Sequence, residues 1–510
     1  MSEVKARVTV FRYNPEEDIE PRYKTYEIPF QEGMTVLDAL IYIRENYDST
    51  LAFNYECRYG YCGSCAVEVN GKPVLACRTL ASRNMLVKPL SNLPIVRDLV
   101  VDRTYLTSSL LRIRAFLERK KPPGMKPEKL LPKDFSVFRV VSRCIDCSSC
   151  YSKCPTYTEA KHLYVGPGLV ARIARYIFDP RDDGNKVRVL YQEGLFDCTL
   201  CGKCTEVCPY EIDIPKLVII PVRGRALKSR MGPLKDVEEM AERAKLTGNV
   251  LMKPLKGSFL SKVKFTTNLN GNTMLFLGCL FNYDYRLHSV CESAINVLRL
   301  NGTEVTVPEG QVCCGLPFIQ MGYFEPIKEY LLKRNLQVFK KFQKVVSICA
   351  GCSNTLKNWY PKLSKEMGEK FEVEVFDVNE FLVKCGWRKD LMGELNLRVT
   401  YHDPCELNRG CSISKEPREL IKSIPGVELV EMEESDLCCG GTLKMTNPKV
   451  GYKIAERKAE MIRKLGVDVT VTSCPRCMTQ LSSALSLKKE KKIKVMHVVQ
   501  LLDAAYKLGD

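Results

Sequence analysis

The sequence predicts a multidomain chain: a β-rich N-terminal domain, a small helical domain after it, and an α/β domain present in two copies. Three observations predict this. Twenty-five cysteines fall into three blocks of different spacing, within residues 57–77, 144–208 and 279–477. The apolar pattern changes with the blocks, from alternating runs, to helical stretches, to strands that alternate with helices. The last block also repeats itself at an offset of 125 or 126 residues. With 510 residues, 45% of them hydrophobic, each domain has material for its own core.

An odd cysteine count on so long a chain argues against a disulfide framework and for reduced, metal-ligating thiols. Residues 1–30 carry charge throughout and contain no signal-peptide core. The longest apolar run, MLFLGCLF at 274–281, is well short of a membrane span. A cytoplasmic protein with no transmembrane segment is expected. Lys and Arg number 77 against 60 Asp and Glu, a net charge of +17. No nucleic-acid motif accompanies that charge, and much of it lies in solvated stretches such as 112–134, so nucleic acid is not an expected partner.

In the first block RVTVFRY and KTYEIPF read as a hairpin pair and TVLDALIYIREN (35–46) as an amphipathic helix. CAVEVNGKPVLAC reads as a second hairpin turning at Asn70-Gly71. Cys57-x4-Cys62-x2-Cys65, with Cys77 downstream, is the plant-type spacing for a 2Fe–2S cluster. Gly60 and Gly63 sit inside the loop, where backbone must bend around sulfides and turn its N–H groups toward them. A zinc site would favour two equal Cys-x-x-Cys pairs.

The second block repeats one run, Cys144-x2-Cys147-x2-Cys150-x3-Cys154-Pro and Cys198-x2-Cys201-x2-Cys204-x3-Cys208-Pro. This is the two-cluster ferredoxin run, in which the fourth cysteine ligates the other cluster. One cubane 4Fe–4S cluster is therefore expected on Cys144, Cys147, Cys150 and Cys208. The other is expected on Cys154, Cys198, Cys201 and Cys204.

In the third block Cys279, Cys313, Cys314, Cys349 and Cys352 are matched by Cys405, Cys438, Cys439, Cys474 and Cys477. In each copy an apolar strand (TMLFLGC, RVTYHDPC) leads into the first cysteine and a Cys-Cys-Gly follows. A helical pattern (323–343, 449–465) then precedes a β-rich run into Cys-x-x-Cys (VVSICAGC, VTVTSCPRC). Alternating strands and helices predict an α/β domain with cysteines on loops at strand ends. Five soft ligands with two adjacent fit a four-coordinate zinc ion badly.

CRYGYCGSC (57–65), NGKPVLAC (70–77) and LPIVRDLVVD (93–102), followed by the two cysteine runs, resemble the iron–sulfur subunits of succinate dehydrogenase and fumarate reductase over about the first 235 residues. That resemblance implies a β-grasp 2Fe–2S ferredoxin domain and an α-helical two-cluster ferredoxin domain. The family commonly has a non-cysteine at the position of Cys201 and a 3Fe–4S cluster beside a quinone site. Cys201 allows a fourth iron and puts a quinone role in doubt. The duplicated half resembles CCG-domain proteins, particularly the catalytic subunit of heterodisulfide reductases, and keeps all five cysteines in both copies. The resemblance implies two non-cubane 4Fe–4S clusters with the substrate sulfurs between them, and a catalytic role for all ten cysteines. A disulfide exchanges two electrons and a cluster one, so paired sets suit the chemistry.

Joined in one chain, the two halves resemble the thiol:fumarate reductase family of methanogenic archaea. This implies oxidation of coenzyme M and coenzyme B thiols to their heterodisulfide, with electrons passed to a flavoprotein partner whose FAD reduces fumarate to succinate. The chain has no dinucleotide fingerprint of its own, so the flavin is expected on that partner. The alternative is an electron-transfer subunit of succinate dehydrogenase type whose CCG half only docks another redox or membrane partner. The expected domains are 1–105, 106–235, a basic linker at 236–272, 273–395 and 396–510. Cys291, Cys385 and Cys411 lie outside every repeat and are expected to be buried, inert thiols. His402, with Asp403 ahead of Cys405, is expected to make a structural hydrogen bond, a proton relay for thiol oxidation being the alternative, while Arg286, Arg409 and Arg476 lie near ligand cysteines as candidate anion clamps or ordinary surface residues.

Overall fold

The computed structural model describes residues 4–120, 131–251, 253, 257–262, 272–487 and 493–509. The chain divides into two compact units, 1–198 with 202–222, and 199–201 with 223–510.

In the first unit five strands, β1 (Lys5–Arg12), β2 (Arg22–Pro29), β3 (Ala66–Val69), β4 (Lys72–Leu75) and β5 (Asn84–Lys88), form one mixed sheet in the order β2-β1-β5-β3-β4. β1 and β2 pair antiparallel from Lys5↔Pro29 to Arg12↔Arg22, and alternate β1 residues Ala6, Val8 and Val10 are wholly buried. The β3–β4 turn places Asn70 and Gly71 at φ +48° and +78°, the left-handed pair that a tight hairpin demands. Helix Val36–Asn46 buries Val36, Leu37, Ala39, Leu40 and Ile43. Thr35 starts it by accepting from the Asp38 amide at 3.2 Å while the Asp38 carboxylate accepts from the Thr35 amide at 3.0 Å. Asp98 accepts from Arg12 Nε, the Tyr13 amide and the Ala52 amide at 2.9–3.0 Å, fixing the chain as it approaches the first cysteine. A short hairpin of β6 (Ile95–Arg97) and β7 (Val100–Val101) leads to the helical part. There the four-residue helices Ser149–Ser152 and Lys203–Glu206 each carry the third cysteine of a run, Cys150 and Cys204.

In the second unit β8 (Thr273–Phe276), β9 (Lys344–Ser347) and β10 (Glu374–Asp377) form a parallel sheet in the order β10-β9-β8. β11 (Leu397–Tyr401), β12 (Val427–Leu429), β13 (Val469–Val471) and β14 (Lys494–Met496) form a second parallel sheet, ordered β12-β11-β13-β14. The first copy retains only a Met274–Thr306 bridge where the second has β12. Cys279, Cys349, Cys405 and Cys474 follow the ends of β8, β9, β11 and β13. In a parallel sheet those ends share one edge, so cysteines distant in sequence converge there. The long helix of the second copy, Pro448–Lys464, matches its expected span closely; its counterpart begins at Ile327 and ends at Phe339.

Two expectations are corrected. The stretch 236–272 is not simply a linker, because Leu234–Thr247 is a helix of the second unit. Its Val237, Met240, Ala241 and Ala244 recur at i, i+3, i+4 and i+7 and are buried, an apolar stripe diluted by the charged residues between them. Residues 252, 254–256 and 263–271 of that stretch, and 121–130 of the basic segment 112–134, lie outside the described residues. Cys385 is exposed rather than buried, since it ends helix Val378–Cys385 just before Gly386. Cys291 is fully buried and Cys411 half-buried. Among the described residues no helix is long and apolar enough to cross a membrane.

Candidate metal centres

The first cysteine loop wraps its own sulfur. The amides of Tyr61 and Cys62 each donate to Cys57 Sγ at 3.3 Å. Together with the Tyr59 amide, the leading cause, they bring the Cys57 thiol down to about 6, whereas burial pushes Cys65 up to about 12. Gly63, at φ +73°, lies so close to the next cysteine run that a Cβ there would stand 2.7 Å from the Ile145 carbonyl oxygen and 2.9 Å from Cys147 Cα. Only glycine lets the two loops touch. Arg103 donates to the Gly63 carbonyl at 3.0 Å and feels the charges of Cys147, Cys65 and Cys62.

Cys144, Cys147, Cys150 and Cys208 line one cavity of about 220 Å³, with Arg103 and Arg172 among its other walls. Burial, reinforced by the neighbouring thiols, pushes Cys144 up to about 11 and raises Cys150 further. Four thiols converging on one cavity are the soft donor set a polynuclear iron–sulfur group takes, so these residues fit a 4Fe–4S cluster. Cys154 Sγ accepts from the Tyr157 amide at 3.5 Å. Cys154, Cys198 and Cys204 belong to the first unit and are half-buried, while Cys201 is buried in the 199–201 segment grouped with the second unit.

In the second unit all ten repeat cysteines line a single cavity of about 470 Å³. Within each copy the thiols form a hydrogen-bonded chain, Cys279–Cys313–Cys314–Cys352–Cys349 and Cys405–Cys438–Cys439–Cys477–Cys474. Cys314 and Cys352 Sγ lie 3.5 Å apart, and Cys439 and Cys477 Sγ 3.3 Å apart. The amides of Gly315 and Gly440 donate to Cys313 and Cys438, both at 3.4 Å. Cys314 is held well below the usual thiol range by its neighbours Cys313 and Cys352, and Cys439 by Cys438 and Cys477. The middle sulfur of each chain is thus prepared as a thiolate, the form that binds metal. Gly278, at φ +73°, opens room beside the first set, because a Cβ there would stand 2.7 Å from Cys352 Sγ. The copies join through the Ala350 amide, which donates to the Ser473 carbonyl at 3.1 Å.

The copies differ in what surrounds the sulfurs. His402 is buried with a ring nitrogen grouped within 4.8 Å of the Cys439 and Cys477 sulfurs, and it helps to hold Cys439 low. Phe276 occupies the corresponding place in the first copy. Of the three arginines singled out in the sequence, Arg476 alone lines the cavity. Arg286 pairs with Asp284 at 2.6 Å. Arg409 is committed to Asp436 at 2.9 Å and to the Cys201 carbonyl at 2.6 Å. The sequence reading missed buried Gln320 and half-buried Glu406, neighbours at the cavity wall whose side chains hydrogen-bond at 3.0 Å. They are 86 residues apart in sequence, and no local pattern announces the pair. It also missed Met240 and Leu251 of the supposed linker, which form part of the same wall.

Comparison with known proteins agrees with this partition. Residues 7–108 match the 2Fe-2S iron-sulfur cluster binding domain family, and residues 140–212 the 4Fe-4S dicluster domain. Residues 273–357 and 399–482 both match the cysteine-rich CCG domain. The chain is 39% identical over 503 residues to a subunit of the fumarate reductase (CoM/CoB) of Methanothermobacter marburgensis, covering 98% of this chain and 99% of that one. It is 37% identical over 224 residues to the fumarate reductase iron-sulfur subunit of Haemophilus influenzae, covering 40% of this chain and 87% of that one. Among solved structures, a hypothetical protein from Helicobacter pylori is similar at a TM-score of 0.66 and 14% identity, covering 100% of this chain and 96% of that one. At that identity the likeness concerns fold alone.

Proposed function

The chain belongs to the family of iron–sulfur subunits of fumarate reductase (CoM/CoB), and from that premise we propose that its two C-terminal repeats oxidise the thiols of coenzyme M and coenzyme B to their mixed disulfide. The electrons go to a flavoprotein partner whose FAD reduces fumarate to succinate. The balance is simple: two S–H bonds are lost and one S–S bond forms, releasing two electrons and two protons, which fumarate takes up across its C=C bond. One observation carries the reading. Both five-cysteine sets line the same cavity, so two substrate sulfurs can meet within reach of both.

We assign Cys57, Cys62, Cys65 and Cys77 to a 2Fe–2S cluster. Cys144, Cys147, Cys150 and Cys208 go to one cubane and, by spacing, Cys154, Cys198, Cys201 and Cys204 to another. Each five-cysteine set would hold a non-cubane 4Fe–4S cluster. When bound, these groups supply one-electron carriers and soft iron sites for sulfur. The chain's own residues position them. Gly315 and Gly440 amides fix the second cysteine of each set, and the low-lying Cys314 and Cys439 provide thiolates without an external base. Apolar walls from Leu280, Leu316 and Pro317 shield the first set.

In the complex with its flavoprotein, Cys314→Ala and Cys439→Ala should each lose about four irons and thiol-dependent fumarate reduction. Fumarate reduction driven by an artificial reductant should persist. Normal thiol oxidation by variants verified to lack that cluster would refute the assignment and favour a C-terminal half that only docks another redox partner.

A further inference from the structure

The ten-cysteine cavity is symmetric in its sulfurs and asymmetric in its charge. Arg476, between Cys474 and Cys477, is half-buried and lines the wall, and Lys444 lies exposed at its margin. Gly351 and Ile319 occupy the corresponding positions of the first repeat. The duplication therefore supplies its own comparison: the same fold surrounds both sets, and the cations stand on one side only. The first-repeat side is built from Leu280, Leu316 and Pro317, extended by Met240 and Leu251.

Arg476 is also held in place without a direct ion pair among the described residues. Its stem lies against the Gly441 backbone, where a Cβ would come within 2.8 Å of Arg476 Cγ. Its Nη1 donates to Gln320 Oε1 at 3.4 Å. Glu406, the nearby acid, instead accepts from Gln320 Nε2 at 3.0 Å and from Asn354. Glu406 therefore attracts Arg476 only through space, without a hydrogen bond to it. Among the described residues no carboxylate makes an ion pair with Arg476. A guanidinium oriented at a cavity wall with donors to spare is the arrangement that recognises a bound anion, and its planar fork suits an oxyanion.

We propose that the cavity binds its two thiols in a fixed order: a thiol bearing a compact oxyanion seats that group on Arg476 at the second repeat, and its partner lies along the apolar wall of the first. This rests on the thiol-oxidising function proposed above and adds to it a specificity-determining residue and an orientation. Lys444 contributes long-range attraction from the rim, and Gln320, bonded to both Arg476 and Glu406, sets the direction of the fork.

The test uses the intact complex with 2-mercaptoethanesulfonate and its neutral counterpart 2-mercaptoethanol as alternative substrates for the charged position. Calorimetric binding of ethanesulfonate, which has no thiol, provides a readout independent of turnover. In the wild type the sulfonate is preferred. Arg476→Gln should raise the KM for the anionic thiol and weaken ethanesulfonate binding by about 10- to 100-fold, with a several-fold smaller effect on the KM for 2-mercaptoethanol. Arg476→Lys should restore part of the preference, and Lys444→Gln should produce a smaller, salt-sensitive loss. Equal effects of Arg476→Gln on both thiols, or unaltered ethanesulfonate binding, would overturn the proposal while leaving thiol oxidation standing. A wild-type complex that oxidises no thiol would fail earlier, at the function itself.

Discussion

Replacing Gly278 by alanine tests whether the first five-cysteine set is held at the geometry described, without removing a ligand. Two costs arise. A left-handed φ of +73° at a non-glycine residue costs about 1–2 kcal/mol. The new Cβ would also sit 2.7 Å from Cys352 Sγ, so the sulfur must retreat by about 0.7 Å to reach ordinary contact at 3.4 Å. Gly302 separates the two costs, since it lies in the same domain at φ +75° with nothing within 4 Å of its would-be Cβ. Gly302→Ala should melt about 2–8 °C below wild type, and Gly278→Ala lower still because it also carries the clash. Gly302→Ala should keep its full iron, about 18 per chain for the proposed clusters. Gly278→Ala should lose about four of those irons while the second set keeps its spectrum. Iron analysis, electron paramagnetic resonance and anaerobic melting read all three. Equal iron in the two variants would refute the claim that Cys352 is held against Gly278 as a ligand.

Three further outcomes are expected. Cys201→Ala should convert one cubane to a 3Fe–4S centre, and an oxidised variant with no new 3Fe–4S resonance would contradict the ligand grouping. Arg103→Gln removes a half-buried cation beside Cys62, Cys65 and Cys147; it should lower the 2Fe–2S midpoint potential on the order of 60 mV, a tenfold change for one electron, and an unchanged potentiometric titration would show that the charge is screened. His497 accepts from the Val499 amide at 3.2 Å through Nδ1, which makes Nε2 the donor to the Ile348 carbonyl at 3.0 Å, and burial lowers its pKa from 6.5 to about 4. Its contribution is complete above pH 6.5 and is lost as pH falls toward 4, because the unfolded state takes up the proton first; the loss is roughly 2 kcal/mol by pH 5. Melting followed from pH 7 to 5 should be steeper than for His497→Asn.

The sequence was most legible where chemistry demands a fixed spacing. The first cysteine loop, the two ferredoxin runs and the repeat cysteines announced the domain types because each spacing is characteristic of one, and residues 7–108, 140–212, 273–357 and 399–482 match those families. Asn70-Gly71 announced its turn because so few residues tolerate two successive positive φ values. The helix Leu234–Thr247 was hidden because its buried stripe is outnumbered by charges. The inward residues Gln320, Glu406 and Met240 were hidden for a different reason: each acquires its role from a partner contributed by another element. Arg286, Arg409 and Arg476 looked alike in sequence and were separated only by where carboxylates stand, at Asp284 and Asp436.

The convergence of strand ends has a consequence for biosynthesis. Cys279 and Cys477 face one cavity although almost 200 residues separate them. At about 5–20 residues per second, roughly 10–40 seconds pass between the synthesis of these two sulfurs. Throughout that interval the first repeat's five thiols have no second repeat to close over them. Assembly of the cavity is therefore an event of the finished chain, and a nascent or truncated chain presents reactive sulfur to whatever oxidant or stray metal is at hand. The Ala350–Ser473 bond is one of the contacts between the copies that can form only once the second repeat has been made.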